Sequence, residues 1–159
     1  MAHTYEYPRP ALTVDCIIFA DGFTENPEQL KVLLIRRGGN PFKGMWANPG
    51  GFVNVNDDED QGEEIEDAAR RELKEETGVE VAELYQVGIF GAPKRDPRGR
   101  VITVAFMAVV SQEDITVQAG DDAAEATWFT LEEAAGMELA FDHKKILMAA
   151  INKLMTMRD

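Results

Sequence analysis

Glu72, Glu75 and Glu76 stand at i, i+3 and i+4. On a helix that spacing projects all three carboxylates from one face. Like charges so placed repel by roughly a few tenths of a kcal/mol per pair. A hard divalent cation removes the cost, because it binds carboxylate oxygens and shares its remaining positions with water and phosphate. Arg71 adjoins the cluster, and its guanidinium is suited to fork onto a carboxylate and hold it. The alternative is a charged solvent face, since Glu, Lys and Arg are good helix formers and acidic residues are abundant in this chain.

The elements around the cluster follow from patterning. Residues 63–77 form the expected helix, with Gly78 as its stop. Residues 11–20, with Leu12, Val14, Ile17, Ile18 and Phe19, form a buried strand, and 30–37 a second one. Between that strand and the helix lie a Gly- and Pro-rich loop at 38–44, the stretch 46–53 with Pro49, Gly50 and Gly51, and an acidic connector at 54–62. Further strand segments are expected within 79–90, at 100–111 and at 126–129. A short helix at 131–135 and a closing helix at 142–157, its apolar stripe formed by Ile146, Leu147, Ile151, Leu154 and Met155, complete the chain. Strands alternating with helices indicate one mixed α/β domain over residues 1–159.

Composition narrows the classes of function. The 159 residues include 29 acidic against 16 basic, a formal net charge of −13. Such a surface repels a nucleic-acid backbone, so no nucleic-acid partner is expected, whereas a phosphorylated small molecule can bind through bridging metal ions. The longest apolar stretch, 101–110, is about half of what a membrane helix needs, and residues 1–10 have neither the basic start nor the apolar core of a secretory signal. Cys16 is the single cysteine and lies in an apolar run, which reads as core. A cytoplasmic location is the expectation, with no membrane partner.

From Glu63 onward the chain reads Glu, seven residues, Arg71-Glu72-Leu73, one residue, Glu75-Glu76, one residue, Gly78-Val79. This run resembles the box of the Nudix hydrolases, and a chance match has odds on the order of one in a million, given ordinary residue frequencies. Trp46-Ala47-Asn48-Pro49-Gly50-Gly51 resembles the stretch that precedes that box, and Ala126-Thr127-Trp128-Phe129 the family's late strand. One departure stands out: eleven residues separate Gly51 from Glu63 where the pattern has five, an insertion of six. Asn54, Asn56 and Asp58 alternate as in a calcium loop, but the sixth position is Glu59 instead of Gly and the twelfth is Ile65 instead of Glu. A longer turn before the helix is the reading that remains, and it puts the hand-off from Gly51 to the helix in question.

The resemblance implies an α/β/α sandwich with a central mixed sheet and a catalytic helix after the Gly-Gly loop. It implies Mg²⁺, with Mn²⁺ as an alternative, held by Glu72, Glu76 and the Gly51 carbonyl. Glu75 is then a further ligand or the group that orients water, and Glu63 and Arg71 support the set. Asp122 or Glu125 supplies another ligand or a base, or simply belongs to a solvated acidic turn. The implied reaction is hydrolysis of a diphosphate bond, with ADP-ribose cleaved to AMP and ribose 5-phosphate. That substrate rests on Pro93, fifteen residues after Gly78, and on the basic stretch 94–100, whose Arg95 and Arg98 fall where family substrate loops lie. Arg36 and Arg37, ending a strand beside the Gly-rich loop, either reach a phosphate or pair with surface carboxylates. A sensor that binds ADP-ribose without cleaving it and a pyrophosphatase for damaged nucleoside triphosphates are the alternatives. The sensors of this family carry a further DNA-binding domain, for which residues 1–159 leave no room. Residues 5–10 are the expected interface segment of a homodimer.

Overall fold

The computed structural model of the protein describes residues 4–20, 30–111 and 123–158. Seven strands form one sheet. β1 (Ala11–Ala20) and β6 (Val101–Val110) run parallel at its centre, in register from Ala11 opposite Val101 to Ala20 opposite Val110. β2 (Lys31–Arg37) lies antiparallel to β1 on one side, and β5 (Tyr85–Phe90) antiparallel to β6 on the other. β3 (Trp46–Ala47) and β7 (Ala123–Thr130) both pair with β2, and β4 (Gly50–Phe52) pairs with β1. The mixed sheet expected from sequence is present.

Helices cover both faces. Successive side chains of a strand alternate between faces, so β1 sends Cys16 and Ile18 one way and Ile17 and Phe19 the other. The first pair meets Ala68, Ala69 and Leu73 of α1 (Ile65–Thr77). The second meets Ile146, Leu147 and Leu154 of α3 (His143–Arg158), with Ala134 of α2 (Leu131–Gly136) beside them. Burial on both faces is why β1 reads as a continuous apolar run instead of an alternating one. Cys16 is packed in this core, its Sγ–H donating to the Ala69 carbonyl at 3.4 Å. Among the described residues no helix is long and apolar enough to cross a membrane.

Most elements fall within a residue or so of expectation, and two boundaries differ by more. Helix α1 begins at Ile65, not at residue 63, because Glu64 is extended and Glu63 is engaged with Asn54. β7 runs from Ala123 and not from 126, since pairing with the length of β2 extends it. Residues 79–90, expected to supply one or two strand segments, supply one, β5, and Val79 packs as a buried residue beneath α1.

The acidic insertion closes on itself. Asn54 N–H donates to Glu63 Oε1 at 2.8 Å, and Glu63 N–H donates back to the Asn54 carbonyl at 3.1 Å. Val55 and Gly62 form an antiparallel bridge, and Asp58 Oδ1 accepts the N–H groups of Asp60 and Gln61 at the tip. The chain therefore leaves and returns to one point. Glu63 follows the Gly50-Gly51 strand in space as though the insertion were absent, which resolves the hand-off the sequence put in question.

Candidate active site

The site is built where α1 passes β4. Glu76 is 7% exposed, and its Oε1 accepts the Gly50 N–H at 2.7 Å. Burial pushes its carboxyl up to about 8; the Gly50 hydrogen bond opposes this, while the negative Glu72 and Asp15 nearby add to it. Glu72 lies against Gly51 so closely that a Cβ on that residue would fall on its carboxylate. A Cβ on Gly50 would meet the Val14 carbonyl and the Asp15 side chain. Gly51 thus lets β4 approach the helix, and Gly50 lets it approach β1.

Arg71 organises the outer edge of this cluster. It donates to Glu63 from Nη2 at 2.6 Å and from Nε at 3.0 Å, and to the Phe52 carbonyl at 3.0 Å. Its Nη1 donates to Glu72 at 2.9 Å and to Glu75 at 3.0 Å. The hydrogen bonds from Arg71 hold the Glu63 carboxyl below its usual range, and those contacts in turn raise Arg71. Glu75 turns to the exposed side of α1 and lies outside the cavity that Glu72 and Glu76 line.

Among the described residues, no group of three or more His, Cys, Asp or Glu side chains is arranged to hold a metal alone. The donors present nonetheless suit a hard divalent ion. Glu72 and Glu76 offer two carboxylates, one of them made costly by burial, beside the Gly50-Gly51 backbone. Magnesium is commonly bound in this way, by one or two carboxylates with water and substrate phosphate completing the shell.

These carboxylates share the lining of a cavity of about 610 Å³ with cationic and aromatic side chains. Arg37, at the end of β2, lies 4.9 Å over the Phe141 ring and donates to the Pro41 carbonyl. Arg98 lies between two rings, 4.8 Å from the centre of Phe52 and 5.5 Å from that of Phe141, and grips the buried Asp96 through Nε and Nη2. Burial and the neighbouring Arg98 lower the Arg37 guanidinium from its ordinary value. An anion in this space would relieve that repulsion.

The other residues singled out in the sequence are placed differently. Arg95 also borders the cavity, but its side chain is 4% exposed and held by Asp142 at 2.7 and 3.0 Å, anchoring the loop to the start of α3. Arg36 faces the opposite way from Arg37 and pairs with Glu125 at 3.3 Å, so neither residue lines the cavity. Asp122 lies outside the described residues.

Sequence reasoning missed a buried polar chain at the back of the cavity. Thr103 Oγ1 donates to Asp15 Oδ2 at 2.6 Å, and Asp15 Oδ1 lies 3.3 Å from His143 Nε2. His143 Nδ1 accepts the Asn48 N–H at 3.0 Å, while Asn48 Nδ2 donates to the His143 carbonyl at 3.4 Å. Burial lowers His143 and raises Asp15, each shift opposed by attraction to the other. A signal existed for Asp15, a lone carboxylate inside an apolar strand; Phe52, Phe141 and Asn48 carried none.

Comparison with known proteins agrees with this arrangement. A family model described as the NUDIX domain matches residues 9–150. An ADP-ribose pyrophosphatase of Methanocaldococcus jannaschii is 44% identical over 141 residues, covering 89% of this chain and 73% of the relative. The ADPR-responsive transcriptional repressor NtrR of Acinetobacter baylyi is 38% identical over 149 residues, which span 94% of this chain but 56% of the repressor. Among solved structures, the NUDIX domain of Shewanella oneidensis NrtR in complex with ADP ribose superposes with a TM-score of 0.80 at 34% identity, covering 93% of this chain and 90% of that one. With its carboxylate helix, Gly-Gly strand and α/β/α layers all in place, the chain belongs to the NUDIX domain family.

Proposed function

We propose that the protein hydrolyses the diphosphate of a nucleoside diphosphate derivative, with ADP-ribose as substrate and AMP and ribose 5-phosphate as products. The observation that carries the reading is the cavity itself, which is lined by Glu72 and Glu76 together with Arg37 and Arg98. Its volume of about 610 Å³ suits a nucleotide-sized ligand. ADP-ribose is supported by the pyrophosphatase relative and by the ADP-ribose complex of the related domain.

In this reading Glu72, Glu76 and the Gly51 carbonyl hold Mg²⁺, or Mn²⁺ in its place. When bound, the ion neutralises the diphosphate, polarises its phosphorus–oxygen bonds and makes a bound water more acidic. Arg37 and Arg98 hold the negative phosphates, and Phe52 and Phe141 offer ring faces to the rest of the substrate. Arg71 keeps Glu72 aimed inward while Glu63 keeps Arg71 in place. Water adds its oxygen to one phosphorus, the bridging oxygen leaves with the other phosphate, and the water protons pass to base or solvent. Of the two carboxylates considered as that base, Glu125 is held by Arg36 away from the cavity, which leaves Glu75, placed beside Glu72 through Arg71, as the candidate. Exposed Tyr5 and Tyr7 leave the segment at residues 5–10 open to a second copy of the chain.

The test is a panel of ADP-ribose, NADH, dinucleotide polyphosphates and nucleoside triphosphates with Mg²⁺, read by product chromatography. AMP from ADP-ribose in preference to the others is the expected result, and no turnover of any member overturns the hydrolase reading. A sensing role is the second reading, favoured by the likeness to the ADPR-responsive repressor. Calorimetric binding of ADP-ribose with no product after long incubation would establish it instead.

A further inference from the structure

We propose that His143 is a positioning residue, and that its Nδ1 lone pair sets the Asn48–Gly51 backbone at the height where Gly51 and Glu76 act together. The inference rests on the hydrolase reading for its purpose, but its geometry stands apart from any substrate.

The argument starts from donors and acceptors. The Asn48 backbone N–H can only donate, so the His143 Nδ1 facing it at 3.0 Å must offer a lone pair. The ring proton then sits on Nε2, aimed at Asp15 Oδ1 3.3 Å away. Asp15 is itself fixed, since its other oxygen accepts from Thr103 at 2.6 Å. One neutral tautomer is therefore selected from both ends. A second contact, from Asn48 Nδ2 to the His143 carbonyl, makes the hold on Asn48 two-pointed.

Asn48 opens the segment Asn48-Pro49-Gly50-Gly51, whose remaining contacts are also fixed. The Pro49 carbonyl accepts from the Cys16 N–H at 2.7 Å, Gly50 stands opposite Asp15 in the β1–β4 pairing, and the Gly50 N–H is spent on Glu76. His143 thus holds the near end of a segment whose far end lies against both carboxylates. The side chain is 6% exposed, and its two ring nitrogens are occupied by Asn48 and Asp15, so its route to the reaction is through Asn48.

Two substitutions separate the nitrogens. Asn places a side-chain acceptor about as far from Cα as Nδ1, whereas Gln reaches about as far as Nε2. His143→Asn keeps the hold on Asn48 and loses Asp15; His143→Gln does the reverse. Hydrogen–deuterium exchange of the Asn48, Gly50 and Gly51 amides and Mn²⁺ binding followed by electron paramagnetic resonance are the readouts, both in the absence of substrate. The expected result is faster exchange and about tenfold weaker Mn²⁺ binding for His143→Gln, with His143→Asn near wild type. Equal damage in both variants, or none in His143→Gln, overturns the proposal. Ring ¹⁵N shifts of the wild-type protein test the tautomer without any variant, and a protonated Nδ1 also overturns it. These measurements need no turnover, so failure of the substrate panel would leave them interpretable.

Discussion

Arg71 and Glu63 are eight residues apart and joined by a forked contact, Nη2 to Oε1 at 2.6 Å and Nε to Oε2 at 3.0 Å. Since the same guanidinium also holds Glu72, loss of Glu63 should free Arg71 to draw Glu72 away from Gly51. Glu63→Gln is expected to lower kcat about tenfold while leaving the fold intact, as for other groups that orient metal ligands. Steady-state kinetics with circular dichroism as the folding control checks this, and an unchanged kcat would remove Glu63 from the supporting set.

Glu72 and Glu76 should be far less replaceable. Glu76→Gln and Glu72→Gln are each expected to reduce kcat by about two orders of magnitude or more, and chelation should abolish turnover of the native enzyme until Mg²⁺ is returned. Mg²⁺ together with a non-cleavable ADP-ribose analogue should also raise the melting temperature, by a free energy near ~2.7 kcal/mol at a hundred times the dissociation constant. The absence of any metal-linked thermal shift would count against these carboxylates as ligands.

Arg98, which lines the cavity, and Arg36, which does not, offer an internal control. Arg98→Ala is expected to raise KM about tenfold, through loss of a phosphate partner and of the stack on Phe52 and Phe141. Arg36→Ala should leave KM within about twofold, because Arg36 is paired with Glu125 outside the cavity and exposed pairs contribute little. Equal effects of the two substitutions would contradict the assignment of Arg98 to the substrate wall.

Asp96 gives a pH dependence whose sign is fixed. Burial raises its carboxyl, but hydrogen bonds and charge from Arg98, with Arg95 nearby, outweigh that and hold it below 3.8. A carboxyl depressed in the folded state contributes stability above pH 3.8 that is lost as pH falls through the folded value. Wild type should therefore lose stability below pH 3.8 more steeply than Asp96→Asn, as measured by denaturant unfolding across the acid range. Parallel curves would show that the Arg98 contact is not felt in stability.

The insertion should be removable. Because Asn54 and Glu63 are bonded to each other, replacing residues 55–62 with a two-residue turn should leave α1 in place and kcat/KM within about threefold. A large loss of activity with the fold retained would show that the excursion touches substrate.

The catalytic helix was legible because its charges are contiguous in sequence and its period is local. Glu72 and Glu76 are neighbours on one turn, and Gly78 ends the helix with φ 77°, its N–H on the Lys74 carbonyl. The substrate wall was half legible. Arg37 and Arg98 appeared as charges near loops, but periodicity does not reveal that Phe52 and Phe141, far apart in the chain, would flank one guanidinium. Arg36 and Arg37 were indistinguishable until pairing with β7 decided which one faced inward. The chain from Thr103 through Asp15 and His143 to Asn48 was hidden for the same reason, since each member comes from a different element.

Burial of both faces of β1 and β2 has a consequence for how the sheet aligns as it forms. In a half-exposed strand, a slip of one residue would drive apolar side chains into water, and the hydrophobic pattern alone would forbid it. Here Leu33 and Leu34, or Ile17 and Ile18, could exchange sides with little loss of apolar burial. What a slip cannot tolerate is at the strand's polar positions: Asp15 would turn from His143 into the apolar layer beneath α1, and Arg37 would leave the cavity. The residues that make the site are thus also the alignment marks of its central strands. Substitutions that neutralise them are expected to loosen the register of the sheet as well as the chemistry it supports.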